Sequence, residues 1–100
     1  MYLYCYMELK ERTEKYINIT DEALKKIRII APENSYIYGM AKDHMDMILN
    51  YYNDARYFYK KNDFINALSA INYLYGWIDS GIRIGFFDGD NDHRLFTQFK

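Results

Sequence analysis

The side chains with the greatest potential for specific binding lie between residues 69 and 83, where polar residues recur at helical spacing. Five of them, spaced 3, 4, 3 and 4 apart, would share one side of a helix: Ser69, Asn72, Gly76, Asp79 and Arg83. An amide, a carboxylate and a guanidinium around a bare glycine backbone can hold a ligand or a partner's main chain at close range. Gly76 also stands where alanine would favour a helix by about 1 kcal/mol, so another interaction should offset its presence.

Two further acids, Asp43 and Asp46, lie on the segment before this helix. If the two segments form a hairpin that turns at residues 62–63, Asp79 comes near Asp46, and Arg83 comes near residues 42–43. The four charged side chains would then gather near one end of the hairpin. A structural interpretation stays open, in which Asp79 pairs with Arg83 one turn away and Gly76 makes room for a neighbouring tyrosine. The candidate binding residues are Asn72, Gly76, Asp79, Arg83, Asp43 and Asp46.

Other motifs fail on residue type or number, so neither a metal nor a cofactor is predicted. Residues 88–92 begin like a calcium loop, but His93 replaces the required glycine and Phe99 replaces the bidentate glutamate. His44 and His93 are the only histidines, whereas zinc usually takes three or four ligands. The sequence has no glycine-rich phosphate loop and no nucleophile motif, which makes an enzyme less expected than a binding protein.

Composition indicates a single domain, residues 1–100, of ordinary globular character. Half of the residues are hydrophobic, 27% are charged, and the net charge is −1. That balance argues against nucleic-acid binding and gives no attraction to membranes. The lone Cys5 cannot form an internal disulfide, and the opening residues lack a signal peptide's basic start, so a cytoplasmic location is expected. The 12 tyrosines fit either a recognition surface or a compositional bias.

Apolar residues repeat at alternating spacings of 4 and 3 in three stretches, which predicts helices near residues 8–30, 35–61 and 63–84. Pro32 should end the first helix, although Thr20 and the acids after it could instead start a new helix and break the first one. Short connections make neighbouring helices antiparallel. The predicted fold is therefore all-α, an up-and-down three-helix bundle with a C-terminal tail over residues 86–100.

Two packing expectations follow from residue size. The tail should be partly buried, within the chain or across a dimer, because it contains Phe86, Phe87, Leu95, Phe96 and Phe99. The small residues of the third helix should lie against another helix and allow close approach of the two axes: Ala67, Ala70, Gly81 and Gly85, with Leu74 beside them.

Several segments resemble a small family of archaeal proteins catalogued only as a domain of unknown function. They are 51–58, 62–63 and 73–85, with the sequence Gly-Trp-Ile-Asp-Ser-Gly at 76–81 as the most specific part. The resemblance covers about residues 8–85, with Leu74 and Ser80 where alanine is more usual. It implies a soluble three-helix bundle of up-and-down topology, and it implies no activity.

The expected function is that of a non-catalytic protein-interaction module, which works with another protein or as a homo-oligomer. The apolar tail, the aromatic excess and the lack of catalytic motifs favour this class. The alternative is a small-molecule or enzymatic site built around Asp79. Neither nucleic acid nor a membrane is an expected partner.

Overall fold

The three helices predicted from the periodicity are present in the computed structural model, which describes the backbone of residues 2–89 and the side chains of residues 8–89. The elements follow in the order α1 (Tyr2–Lys26), β1 (Arg28–Ile29), α2 (Tyr36–Lys60), α3 (Phe64–Ile84) and β2 (Phe87–Asp88). The helices pack against one another, with the most extensive contact between α2 and α3. The chain is an all-α three-helix bundle, as expected.

The ends of α2 and α3 agree with the predicted ends because capping residues define them. The Ser35 side chain accepts a hydrogen bond from the Tyr38 amide at 3.1 Å and begins α2. Asp63 begins α3 in the same way, by accepting from the Asn66 amide at 3.3 Å. Gly85 ends α3 in the left-handed conformation, with φ at 96°, which glycine adopts without strain.

The expected bounds of the first helix, and the possible break within it, are wrong. α1 begins at Tyr2 and ends at Lys26 instead of running from about 8 to 30. It is continuous through Thr20, whose buried hydroxyl donates to the Tyr16 carbonyl at 2.6 Å as helix-interior threonines do. Beyond α1 the backbone becomes extended, and Ile30, which the helical pattern had placed on the apolar stripe, is 52% exposed.

A short antiparallel ribbon takes the place of the expected last turn of helix. Ile29 pairs with Phe87, and Arg28 pairs with Asp88 through the backbone and through a 2.9 Å ion pair. The Ile30 amide also donates to the Phe86 carbonyl at 3.0 Å. The ribbon gives hydrogen-bond partners to the extended backbone after α1, and it ties the segment after α3 to the segment after α1.

The core lies mainly along α3 and is closed at one end by this ribbon. Its fully buried side chains include Ile48 from α2 and Ile71, Leu74 and Ile78 from α3. Phe86 and Phe87 are buried within the chain, as expected, whereas Leu95, Phe96 and Phe99 lie outside the described residues. Among the helices of the described part, none is long and apolar enough to cross a membrane.

The expected burial of the small residues of α3 is found for some of these residues and not for others. Ala67, Ala70 and Gly81 are buried, but Gly85 is exposed and serves as the helix cap. Gly81 lies beneath the ring of Phe87, which comes from the ribbon and not from another helix. The expectation that Gly81 serves helix–helix packing is therefore wrong.

Candidate functional site

One side of α3 is left uncovered by α1 and α2, and Gly76 lies at its middle. Gly76 and its neighbour Asn72 are exposed, and 63% of the Tyr73 surface is accessible. Apart from its two chain neighbours and the backbone of its own helix, no described atom lies within 4 Å of a Cβ added at Gly76. The explanation that Gly76 makes room for a neighbouring tyrosine is therefore wrong, and the packing of the described residues gives no reason for a glycine here.

A shallow depression of about 360 Å³ surrounds Gly76. It is lined by His44 from α2 and by five residues of α3: Asn72, Tyr73, Gly76, Trp77 and Ser80. A second depression of about 300 Å³ continues toward the start of the helix, lined by Ser69, Asn72 and Tyr73. We refer to Ser69, Asn72, Tyr73, Gly76 and Ser80 together as the α3 face.

Aromatic contacts with α2 hold the edge of the α3 face in place. The Tyr73 ring stacks on Tyr51 with centroids 5.5 Å apart and planes at 16°. The Trp77 ring meets His44 edge to face at 4.8 Å. The His44 ring also contacts Phe86 at 5.0 Å, so the ribbon supports it from the other side. Side chains held in this way lose little conformational entropy when a partner binds.

The tautomer of His44 follows from its backbone contact. Its Nδ1 atom lies 3.2 Å from the carbonyl oxygen of Met40. Because a carbonyl oxygen only accepts hydrogen bonds, Nδ1 carries a proton and donates it. In the neutral ring, Nε2 is then an acceptor at the edge of the depression.

Of the six residues predicted to form a site, the depression brings together Asn72 and Gly76. Arg83 and Asp79 pair instead through Nε and Oδ2 at 3.0 Å, and neither lines the depression. Asp43 and Asp46 are exposed on α2 and do not line it either. None of the four acidic and basic candidates therefore lines the depression around Gly76, and their expected gathering near one end of the hairpin stays a prediction.

Sequence reasoning missed His44, Tyr73, Trp77 and Ser80. Tyr73 and Ser80 lie three and four residues from Gly76, where helix-surface neighbours are expected, so the spacing alone could have included them. Trp77 and His44 are brought to the depression by their contact across the helix pair, and the local pattern of neither segment reveals that contact.

The α3 face offers hydrogen bonds and apolar surface without formal charge. Its groups are hydroxyls, an amide and a phenol, together with the indole and imidazole at its edge. Within the described part of the chain, no cluster of three or more His, Cys, Asp or Glu side chains is placed to hold a metal ion. The arrangement is suited to recognition by contact.

A separate depression of about 280 Å³ lies between α1 and α2 and includes Glu14, Arg56, Tyr59 and Lys60. The Tyr59 hydroxyl donates to Oε2 of Glu14 at 3.1 Å, and burial together with this carboxylate raises the pKa of Tyr59. This contact joins α1 to α2, and we assign the depression a structural role.

The fold and the α3 face define the class: a small helical-bundle protein with one uncharged, aromatic-edged helix surface. A family model described as a protein of unknown function (DUF357) matches residues 15–87, and the chain belongs to that family. The resemblance to a family of unknown function is confirmed; an archaeal source stays a prediction. No curated protein and no solved structure matches the chain.

Proposed function

We propose that this protein is a non-catalytic protein-interaction module and that the α3 face is its contact surface. The observation that carries the proposal is Gly76, an exposed glycine in the middle of a helix, with no atom of a non-adjacent described side chain within 4 Å of an added Cβ. Such a residue weakens the helix by about 1 kcal/mol relative to alanine. Close approach of a partner's backbone would offset that loss, because only glycine leaves the helix backbone bare.

The composition of the α3 face favours a protein partner. Tyr73 and the edge residue Trp77 are of the types enriched in protein interfaces, and charged residues are depleted at interface centres. A shallow, open depression also gives a small molecule little enclosure, whereas small-molecule sites usually bury most of the ligand. The face has no positive charge to neutralise phosphate groups, which does not favour nucleic acid.

The alternative site around Asp79 has less support. Its carboxylate is engaged by Arg83, and the residue lies outside the depression around Gly76. An exposed ion pair one helical turn apart is common on helix surfaces without any ligand. A cytoplasmic location, expected from the lone cysteine, stays a prediction.

The substitution Gly76→Ala tests the proposal. It should raise the free energy of unfolding by about 1 kcal/mol, because alanine favours the helix and its methyl group has room. At the same time it should weaken association, either of the chain with itself by light scattering or with co-purifying proteins from the source cells.

Gly39→Ala is the matched control. Gly39 is an exposed glycine of α2, no non-adjacent described side chain lies within 4 Å of an added Cβ, and it lines neither depression of the α3 face. The free energy of unfolding of this variant should rise by a similar amount, and the variant should associate as strongly as the unmodified chain. The proposal is contradicted if Gly76→Ala destabilises the chain, or if it associates as well as Gly39→Ala does.

A further inference from the structure

We infer that residues 94–100 of this chain occupy an apolar groove between α2 and α3, and that they compete there with the partner of the α3 face. The occupancy follows from the groove and from the chain that continues beside it. The competition rests on the proposed function, because the groove and the α3 face share Tyr73. A partner then binds only where it displaces the chain's own segment.

The groove follows the α2–α3 pair on the side that faces away from α1. The contacts of α1 with α2 include hydrogen bonds from the Tyr52 and Tyr59 hydroxyls, and Tyr52 lies about 100° around the helix from the neighbouring Tyr51. Side chains spaced 4 and 7 apart share one side of each helix and line the groove, which we call the open groove. They are Met40, His44 and Tyr51 on α2, and Tyr73, Trp77 and Ile84 on α3.

The open groove is uncharged and accessible. Its walls meet where the His44 ring contacts Trp77 and where Tyr51 stacks on Tyr73. Toward the ribbon the walls diverge in exposure from the buried core, since Met40 is 44% exposed and Ile84 is 60% exposed. The uncharged start of α2 thus belongs to the same surface as the uncharged side of α3, and an apolar segment can cover both.

The chain leaves the ribbon beside the open groove. The ring of Phe86 contacts His44 at 5.0 Å, and Gly89 follows three residues later. Residues 90–94 span up to about 17 Å when extended, which exceeds the about 10–12 Å diameter of a helix. Leu95 can therefore reach the groove. Because the segment is covalently attached, its effective concentration there is on the order of millimolar, and a separate partner must compete with it.

Residues 94–100 match the open groove in polarity. Leu95, Phe96 and Phe99 supply apolar surface, which gains from leaving water. The two charged residues of this segment, Arg94 and Lys100, are both basic, so the segment carries two positive charges and no negative one.

The rim of the open groove carries the opposite charge. Asp43, next to His44, is exposed and forms no ion pair with a described residue, whereas Asp79 and Arg83 on the other rim neutralise each other. A basic segment is attracted to such a rim, and the acidic residues 90–92 are not. Charge therefore favours the part of the chain after residue 93.

Trp77 is the only tryptophan of the chain and lines the groove, so its fluorescence reports the occupancy directly. In the full chain, the double variant Phe96→Ser with Phe99→Ser should shift the Trp77 emission to longer wavelength and increase its quenching by acrylamide. The matched control, Thr97→Ser with Gln98→Asn in the same segment, should leave both values unchanged. Equal circular dichroism of the three chains checks that the helices are intact.

A second variant leaves the segment itself unaltered. Asp43→Lys reverses the charge at the rim and should increase the quenching of Trp77 in the same direction. Equal Trp77 signals in the unmodified chain and in the Phe96→Ser, Phe99→Ser chain would overturn the inference. A difference that appears only at high protein concentration would also overturn it, because the segment would then occupy the groove of another copy.

The association measured for Gly76→Ala tests the competition. If the segment occupies the groove about nine-tenths of the time, its release should strengthen association about tenfold. Exposure of Trp77 without stronger association would overturn the competition.

Failure of the inference and failure of the proposed function give different results. If Trp77 is unaffected while Gly76→Ala weakens association, the inference fails and the α3 face remains a contact surface. If Trp77 becomes exposed while Gly76→Ala associates as well as Gly39→Ala does, the proposed function fails and the segment still occupies the groove.

Discussion

The ring of Phe87 lies directly over Gly81, so closely that a methyl group on Gly81 would collide with it. The chain reaches this position by turning back at Gly85, after which the Phe86 amide donates to the Gly81 carbonyl at 2.8 Å. Phe87 is only 2% exposed and pairs with Ile29 in the ribbon, so both its side chain and its backbone are held. The fold requires a glycine at position 81 because the chain folds back over its own helix there.

Gly81→Ala should therefore destabilise the protein although alanine is the better helix former. The gain in helix propensity is about 1 kcal/mol, whereas overpacking against a held aromatic ring costs about 1–3 kcal/mol. We expect a net loss of about 1 kcal/mol in urea unfolding, in contrast to the gain expected for Gly39→Ala. Stability equal to or above that of the unmodified chain would show that the ring moves aside freely.

The segment from residue 86 to residue 89 should be part of the folded domain. A chain that ends after Gly85 loses Phe86 and Phe87, and removal of a buried phenylalanine side chain alone typically costs about 3–5 kcal/mol. A chain that ends after Gly89 keeps both rings and the ribbon. We expect the shorter chain to melt at a much lower temperature than the longer one, and similar melting temperatures would contradict the prediction.

The contact between Asp21 and Tyr52 should make stability depend on pH. The Tyr52 hydroxyl donates to Oδ1 of Asp21 at 2.8 Å, and Lys25 pairs with the same carboxylate at 3.2 Å. The hydrogen bond from Tyr52 and then that from Lys25 lower the pKa of Asp21 below its ordinary value of 3.8. Burial, followed by the Asp21 carboxylate, raises the pKa of Tyr52 above 10.0.

The sign of each shift defines the pH range. The lowered pKa of Asp21 stabilises the fold above pH 3.8, and this stabilisation is lost as the pH falls through the lowered value. The raised pKa of Tyr52 stabilises the fold below pH 10, and this stabilisation is lost as the pH rises through the raised value. Because Asp21 is partly exposed, we expect only about 1 kcal/mol from the contact.

Urea unfolding between pH 2 and pH 11 measures both effects on a scale of about 1 kcal/mol. Asp21→Asn should be less stable than the unmodified chain at pH 7, and the difference should shrink as acid protonates Asp21. Tyr52→Phe should reduce the alkaline loss, and the part that remains is expected from Tyr59, whose pKa is also raised. Asp54→Asn, which replaces an exposed acid of α2, is the control and should follow the unmodified chain throughout. A constant difference across the pH range would refute the assignment to this contact.

The helices were predictable from the sequence because spacing and caps both report on local structure. Ser35, Asp63 and Gly85 are types that begin or end helices, and the structure places all three at those positions. The end of α1 was not predictable. Ile27 and Ile30 continue the helical repeat, and the competing ribbon forms only because residues 86–88, far along the chain, supply the partner strand.

The α3 face was predictable in part for the same reason. Asn72 and Gly76 share a helix surface by spacing alone, and the structure places both in the depression. Spacing did not show that Asp79 would lie outside it, because the uncovered surface is centred nearer Tyr73 and Ser80 than the polar stripe suggested. Which side of a helix stays uncovered depends on how α1 and α2 pack, and that is a tertiary property.

The last prediction separates the α3 face from the ion pair beside it. Asp79→Asn removes the charge that pairs with Arg83, and a pair of this exposure and spacing contributes only about 0.3–0.5 kcal/mol. We therefore expect a small change in melting temperature and little change in association, because Asp79 does not line the depression around Gly76. Gly76→Ala should show the opposite result, with higher stability and weaker association. A different result would contradict the proposal: Asp79→Asn abolishes association, or the binding of a co-purifying small molecule, while Gly76→Ala does not. The functional centre is then Asp79, and the binding site lies at the ion pair and not on the α3 face.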